Sequence, residues 1–202
     1  MFSLSQSRGL TLILASLLSA CSTLGNNDEG LGGTRFYSLT PLALSSSKPT
    51  IQANNPSLRI GVGPIGLSRL LRRPQIITRK SATEVAMAEK HQWGGILKED
   101  LSRVLTDNFS AILGTENVEK YPWKLSFKPK YSVRIDIDQL DGKLGQNVTL
   151  KARWRLLRGR EEIAVRNSTI TSKVSGSDYN AYVAAQSQAL LQLTQEIARH
   201  MR

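Results

Sequence analysis

Apolar and polar residues alternate over three long segments in the second half of the chain, and this alternation restricts the fold more than any other feature. The segments run from Tyr131 to Leu140, from Val148 to Leu156 and from Ile163 to Val174. A period of two places every second side chain on one face of a strand. Asp141-Gly142 and Arg158-Gly159 are turn signals between the segments. The pattern predicts an antiparallel meander with one buried face.

Two segments show the three-and-four spacing of amphipathic helices. The first runs from Trp93 to Leu113 and is followed by Gly114, a typical helix C-cap. The second runs from Tyr179 to Ile197, and Ser177 or Asp178 can cap its beginning.

Shorter apolar stretches complete the predicted sheet. We expect strands at residues 35–40, 58–62 and 76–78, and a loop at residues 43–57, which are rich in Ser, Pro and Asn. The predicted fold class is α+β, with an antiparallel or mixed β-sheet and two main α-helices packed on one of its faces. The chain has 202 residues, which fits one domain, and we place that domain at residues 35–200.

The N-terminal residues have the organisation of a bacterial export signal. Arg8 precedes an apolar run from Gly9 to Leu18 of about ten residues, half of the roughly 20 that a bilayer-spanning helix needs. The run ends at Leu18-Ser19-Ala20-Cys21, where Cys21 is the only cysteine. This arrangement resembles the lipobox of bacterial lipoproteins. The alternative is a buried helix with an incidental cysteine.

The resemblance to a lipobox implies cleavage after Ala20 and acylation of Cys21. Residues 1–20 would then be a signal peptide, and the small, polar, Gly-rich residues 21–34 a flexible lipidated tether. Ser22 rather than Asp follows the cysteine, which by the same resemblance favours the outer membrane. We therefore expect a periplasmic protein anchored in the inner leaflet of the outer membrane.

The net charge of +11 predicts attraction to anionic surfaces. Because the N-terminal residues predict export from the cytoplasm, we expect lipid or an acidic protein as the partner and no nucleic acid. The basic run Arg69, Arg72, Arg73, Arg79 and Lys80 contributes to this charge. It is either a solvated face or a contact for lipid phosphate or an acidic partner, for which arginine has suitable forked donors. The adjacent Leu67, Leu70 and Leu71 are either core residues or a contact between subunits.

Several segments together resemble the ABC-type transport auxiliary lipoprotein component family, whose members are the PqiC-like or YmbA-like lipoproteins. The most specific segments are Gly61 to Leu67 and Leu70 to Arg79, and Phe36 to Leu39 and Tyr179 to Ala198 add to the likeness. The residues that match the family motif are Gly63, Pro64, Arg73, Pro74, Gln75, Trp93 and Trp154.

The resemblance implies a role in moving lipids between two membranes. Members of the family accompany an MCE-domain protein that bridges the periplasm, together with its inner-membrane complex. The lipoprotein is expected at the outer-membrane end as a non-enzymatic docking part and as a ring-like homo-oligomer. The alternative is a periplasmic carrier that holds a lipid in its own groove.

Other motifs give weaker predictions of chemistry. Gly61, Gly63 and Gly66 spell a G-x-G-x-x-G, but Pro64 and the lack of a following long helix argue against a dinucleotide loop and favour a strand exit. His91 and His200 show no zinc-type spacing, and we expect no metal, cofactor or catalytic residue.

The paired acids Asp136 and Asp138 lie on one face of a predicted strand and could serve acid–base chemistry. Cross-strand ion pairs with Arg153 and Arg155 are the favoured interpretation. No nucleophile elbow or catalytic triad accompanies them, which also weakens a third reading as an envelope hydrolase.

Overall fold

The computed structural model describes residues 33–42 and 55–201. Cys21, the predicted signal peptide, nearly all of the predicted tether and most of the predicted 43–57 loop lie outside these ranges. The strands are β1 (Arg35–Tyr37), β2 (Ile60–Leu67), β3 (Gln75–Arg79), β4 (Val85–Trp93), β5 (Val118–Lys120), β6 (Tyr131–Lys143), β7 (Asn147–Arg158) and β8 (Glu161–Lys173). The helices are α1 (Leu97–Leu113) and α2 (Tyr179–Ala198).

A five-stranded mixed sheet has the order β5-β2-β6-β7-β8. Strands β6, β7 and β8 form the predicted antiparallel meander. Strand β2 runs parallel to both of its neighbours, β5 and β6. The alternation predicted this sheet correctly, since Val133, Ile135 and Ile137 of β6 are fully buried while the residues between them face solvent.

A second, three-stranded sheet has the order β1-β4-β3. The sequence pattern missed β4, because its residues do not alternate between apolar and polar. Trp93 is the last residue of β4, so the prediction that it opens the first helix was wrong. Helix α1 begins four residues later, at Leu97, and ends at Leu113. The next residue, Gly114, has a φ of 61°, which confirms the predicted glycine C-cap.

Both helices pack against the five-stranded sheet and share its core. Asp178 caps α2, as predicted, by accepting a hydrogen bond of 2.8 Å from the backbone N–H of Ala181. Trp154 of β7 is fully buried beneath α2 and donates to Ser168 at 2.9 Å. The fold is therefore α+β, and residues 34–202 form one compact unit that contains this core. Such a unit carries what it needs to fold alone.

Neither helix in the part of the chain that the structure describes combines the length and apolar character needed to cross a membrane.

The prediction of a turn at Asp141-Gly142 was wrong, because both residues lie inside β6. The hairpin follows at residues 144–146. A Cβ atom on Gly142 would collide with the backbone carbonyl of Asn147 on β7. The backbone N–H of Gly142 also donates to the hydroxyl of Tyr182 at 2.7 Å. Glycine is therefore needed here for the close approach of two strands and not for a turn.

An ion pair between Arg79 and Asp141 joins β3 of the small sheet to β6 of the large sheet. Nε and Nη2 of Arg79 donate to the two carboxylate oxygens of Asp141 at 2.8 and 2.9 Å. The side chain of Asp141 is 2% exposed and that of Arg79 is 27% exposed. Gln139 adds a third donor to this carboxylate at 2.7 Å. The hydrogen bonds that Arg79 donates to Asp141 raise the pKa of Arg79, so the guanidinium stays charged.

We predict that Arg79→Gln lowers the free energy of unfolding by about 3 kcal/mol, because it leaves the carboxylate of Asp141 buried without its cation. Urea denaturation measures this loss. The matched control is Arg155→Gln, which removes one partner of the surface pair with Glu162, whose side chains are 45% and 43% exposed. This control should change stability by about 0.5 kcal/mol or less. Equal effects of the two substitutions would contradict the structural role of Arg79.

Candidate functional site: an arginine-lined groove

The G-x-G-x-x-G motif lies within β2, so the prediction that it forms a strand exit was wrong. A Cβ atom on Gly61 would lie 2.7 Å from the indole ring of Trp123, and one on Gly63 would lie 2.9 Å from Cβ of Tyr121. Both aromatic residues belong to the segment that crosses from β5 to β6. The glycines thus leave space for this crossover on the face of β2 opposite the core.

The other motif residue of this strand, Pro64, is exposed where the pairing of β2 with β6 shifts register. The shift lies between Val62 and Ile65, which are both buried. Gly63 has a φ of 116° at this point, a backbone conformation that favours glycine. Gly63 and Pro64 therefore form a local irregularity that returns Ile65 to the core face.

A groove of about 560 Å³ lies where β2 ends and α1 begins. Its apolar lining includes Leu67, Leu71 and Leu97, which are all buried. Its charged lining consists of Arg72, Arg73 and Lys98, and no acidic residue among those that the structure describes lines it. The groove therefore combines an apolar floor with a basic rim.

The beginning of α1 forms one side of this groove. Ile96 occupies the N-cap position and provides no side-chain cap. Helix N-termini carry a partial positive charge, which the acidic Glu99 and Asp100 of the first turn oppose. Ile96 is 71% exposed and forms one wall of the groove. An occupant would therefore meet both positive charge and an apolar side chain.

The structure separates the predicted basic cluster into two parts. Arg72 and Arg73 line the groove, and the exposed Arg69 precedes the short 3₁₀ turn Leu70–Arg72 at its edge. Nε of Arg72 donates to the carbonyl of Leu67 at 3.1 Å, which orients this side chain. Arg79 lies at the far end of β3 in its ion pair with Asp141.

Of the neighbouring leucines, Leu67 and Leu71 belong to the core, as one of the two interpretations predicted, while Leu70 is partly exposed. The next basic residue, Lys80, lies 3.5 Å from Glu84 on the surface.

The remaining motif residues connect the groove to the core. Pro74 lines the groove, and its carbonyl accepts a hydrogen bond of 2.8 Å from the backbone N–H of Trp93. Gln75 begins β3 opposite Gln92 of β4. Trp93 and Trp154 are buried core residues. The motif therefore fixes the position of the groove, while the exposed arginines give it charge.

Sequence reasoning missed the wall formed by Gly95, Ile96 and Lys98. The available signal was the Gly94-Gly95 pair followed by an apolar residue where a polar cap is usual.

The two histidines contact aromatic residues. Nδ1 of His91 lies 2.7 Å from the hydroxyl of Tyr37, and its ring stacks on Tyr179 with centroids 3.8 Å apart. Burial, with a smaller contribution from Arg35, lowers the pKa of His91 and keeps the ring neutral. His200 packs edge-on against Trp154. Within residues 33–42 and 55–201, no group of three potential metal ligands occurs.

The paired acids of β6 lie on the open face of the sheet. Asp136 stands opposite Arg153 in the strand register, and its carboxylate leans over Gly66. Arg155 pairs with Glu162 of β8 at 3.5 Å rather than with an acid of β6. Arg153 and Arg155 do lie on the strand paired with β6, as predicted. In the part of the chain that the structure describes, however, neither arginine forms an ion pair with Asp136 or Asp138, so the predicted cross-strand ion pairs were wrong.

Comparisons with known proteins agree with this architecture. The model of the ABC-type transport auxiliary lipoprotein component family matches residues 37–198. The crystal structure of an uncharacterized protein superposes with a TM-score of 0.68 at 18% identity, covering 84% of this chain and 99% of that chain. Protein XCC0632 from Xanthomonas campestris, of the DUF330 family, gives a TM-score of 0.58 at 20% identity, covering 82% of this chain and 90% of that one. At these identities the likeness is one of fold. No curated protein sequence matches this chain.

The family match includes β2, the RRPQ segment beside the groove and both helices, and it spans most of the chain. The chain therefore belongs to the ABC-type transport auxiliary lipoprotein component family.

Proposed function

We propose that this protein is an outer-membrane lipoprotein that docks a periplasm-spanning MCE-domain protein, and with it an inner-membrane complex, for lipid transport between the membranes. Acyl chains on Cys21 hold it to the inner leaflet, and the domain acts as a ring-like homo-oligomer without enzymatic activity. Family membership supports the auxiliary role in transport. The observation that carries the docking role is the exposed groove with three cations beside the family motif.

The chemistry of the groove indicates the kind of partner segment that fits it. Arg72 and Arg73 present forked donors that match carboxylates, and the hydrogen bond of Arg72 to Leu67 limits its freedom before binding. Leu71 and Ile96 offer apolar contact beside these charges. A segment with acidic and apolar side chains is therefore the expected ligand. Electrostatic complementarity of this kind gives specificity and fast association.

The alternative function, a carrier that holds a lipid in its own domain, needs an apolar space for acyl chains. The layer between the helices and the large sheet is instead filled by side chains, and Leu101, Leu105, Trp154 and Leu190 are each fully buried there. The groove at the start of α1 has a floor of buried core leucines and a charged rim. These features favour docking.

We predict that Cys21 of the protein purified from its native host carries a diacylglyceryl thioether and an N-linked acyl chain, with residues 1–20 removed. Intact-mass and peptide mass spectrometry measure this directly. Cys21→Ser removes the acceptor thiol, so the variant should keep its leader and lack the lipid mass. A wild-type chain with a free thiol would contradict the proposed anchor.

We predict that the triple variant Arg69→Gln, Arg72→Gln, Arg73→Gln binds the MCE-domain partner about tenfold more weakly at low ionic strength, because two rim charges and the charge of the neighbouring Arg69 are lost. Surface plasmon resonance with the immobilised partner measures the affinity. The matched control replaces Arg134, Arg153 and Arg166 by Gln, since these arginines are exposed on the large sheet and do not line the groove. Unchanged binding of the first variant, or equal loss in both, would exclude the groove as the docking site.

A further inference from the structure

The crossover segment Tyr121–Lys130, here called the β5–β6 loop, has a composition that the functions above do not use. Its sequence YPWKLSFKPK contains three aromatic residues, three lysines and one leucine, and it has no acidic residue. Leu125 is 97% exposed and Tyr121 is 55% exposed. Exposed apolar surface that is grouped on one segment and rimmed by polar residues marks a site of interaction with a protein or a membrane.

The loop is held in place by contacts at its base. Trp123 lies over Gly61 and packs edge-on against Tyr121, with ring centroids 5.5 Å apart. The backbone N–H of Phe127 donates to the carbonyl of Lys124 at 2.9 Å, which closes a turn around Leu125. The backbone N–H of Lys130 donates to the carbonyl of Arg59 at 2.9 Å. Leu125 therefore stands at the tip of a loop that is fixed at its base.

Positive charge surrounds this tip. Lys124, Lys128 and Lys130 are exposed on the loop, and the exposed Arg59 lies beside its end. The turn between β7 and β8 lies next to it, since the N–H of Gly159 donates to the carbonyl of Lys130 at 3.0 Å. That turn contributes the exposed Arg160, while Glu161 and Glu162 are the acids that follow it. Cations thus predominate at this end of the large sheet.

We propose that the β5–β6 loop is a bilayer contact that binds anionic phospholipid. In this contact, Leu125 is inserted just below the headgroups, where the acyl chains begin. Aromatic rings with a polar end are favoured at that interface. Lysines bury their methylene stems while their ammonium groups reach the phosphates. A bilayer needs no shaped receptor, which fits a convex tip better than a protein partner does. This contact is separate from the acyl anchor and acts in its absence.

The end of the β5–β6 loop at Lys130 and the arginine-lined groove lie at opposite ends of β2. The first residue of β2 pairs with Tyr131, directly after the loop, and its last residue lines the groove. A strand of eight residues is about 25 Å long. The two basic surfaces can therefore be tested independently by substitution.

The test uses the chain 22–202, which lacks the only cysteine and contains the whole core unit. Leu125→Cys introduces a unique thiol for an environment-sensitive dye. The matched control is Leu144→Cys in the hairpin at the other end of β6, where Leu144 is 37% exposed. Each labelled protein is mixed with vesicles of phosphatidylcholine alone and with vesicles that contain added phosphatidylglycerol.

We expect a blue shift and increased fluorescence at position 125, only with the anionic vesicles, and no change at position 144. A dye at position 125 that stays in water would overturn the proposal. So would equal responses at the two positions, because they would indicate adsorption without a defined contact.

Substitutions then assign the chemistry of the contact. In vesicle co-sedimentation, Lys124→Gln with Lys128→Gln should lower the partition coefficient about tenfold or more, while Lys143→Gln with Lys173→Gln should leave it nearly unchanged. Leu125→Gln should lower it severalfold, because it removes the inserted side chain. These residues are exposed, so thermal unfolding should match that of the parent chain.

Three results of the substitutions would overturn the proposal. Equal losses of vesicle binding in the two lysine variants would show that the net charge of the whole protein, and not the β5–β6 loop, attracts it to the vesicles. An unchanged partition coefficient for Leu125→Gln would show that the loop is attracted to the vesicles by charge alone, as it would be to an acidic protein surface, without insertion of a side chain. Loss of binding in the variant with Arg69, Arg72 and Arg73 replaced by Gln, with none in the Lys124 and Lys128 variant, would assign the bilayer contact to the groove.

Discussion

Strand β2 is the element on which the rest of this structure depends, because its two faces meet different demands. Ile60, Val62, Ile65 and Leu67 point into the core between the sheet and the helices, where each is at least 92% buried. The opposite face carries glycines, and the crossover from β5 to β6 passes over it with Trp123 against Gly61. Because β5 and β6 are consecutive in the chain and run parallel on either side of β2, the connection between them must cross β2. The glycines keep that connection close to the sheet.

The same strand gives the domain two distinct ends. Helix α1 returns from the groove to the start of β2, where the hydroxyl of Thr115 donates to the carbonyl of Leu58 at 2.7 Å. Its 17 residues span about 25 Å, which matches the length of β2. A domain that rests on a bilayer through the β5–β6 loop would therefore direct the groove away from that membrane. This orientation suits a part that receives a partner from the periplasm.

The spacing of apolar residues in the sequence predicted those strands and helices whose side chains alternate regularly between the core and solvent. The meander and both helices followed from spacing, but β4 did not, because Glu89 and Lys90 interrupt any alternation. Asp141-Gly142 resembled a turn, although the glycine serves strand approach and the aspartate a buried ion pair. The run of arginines in the sequence also indicated the position of the groove only in part. Arg73 and Arg79 are close in sequence, yet an extended β3 carries them about 20 Å apart.

The choice of cation differs between the two basic surfaces in a way that their geometry explains. Two arginines and Lys98 line the groove, and a backbone hydrogen bond orients Arg72 at its rim. An oriented planar fork loses little entropy when it meets a carboxylate at a fixed position. The loop uses lysines on flexible stems around a convex apolar tip. A fluid headgroup layer offers no fixed geometry to match, so mobile point charges suit it better than oriented forks. Shape and charge type therefore divide the protein surface into one end suited to a folded partner and one end suited to lipid.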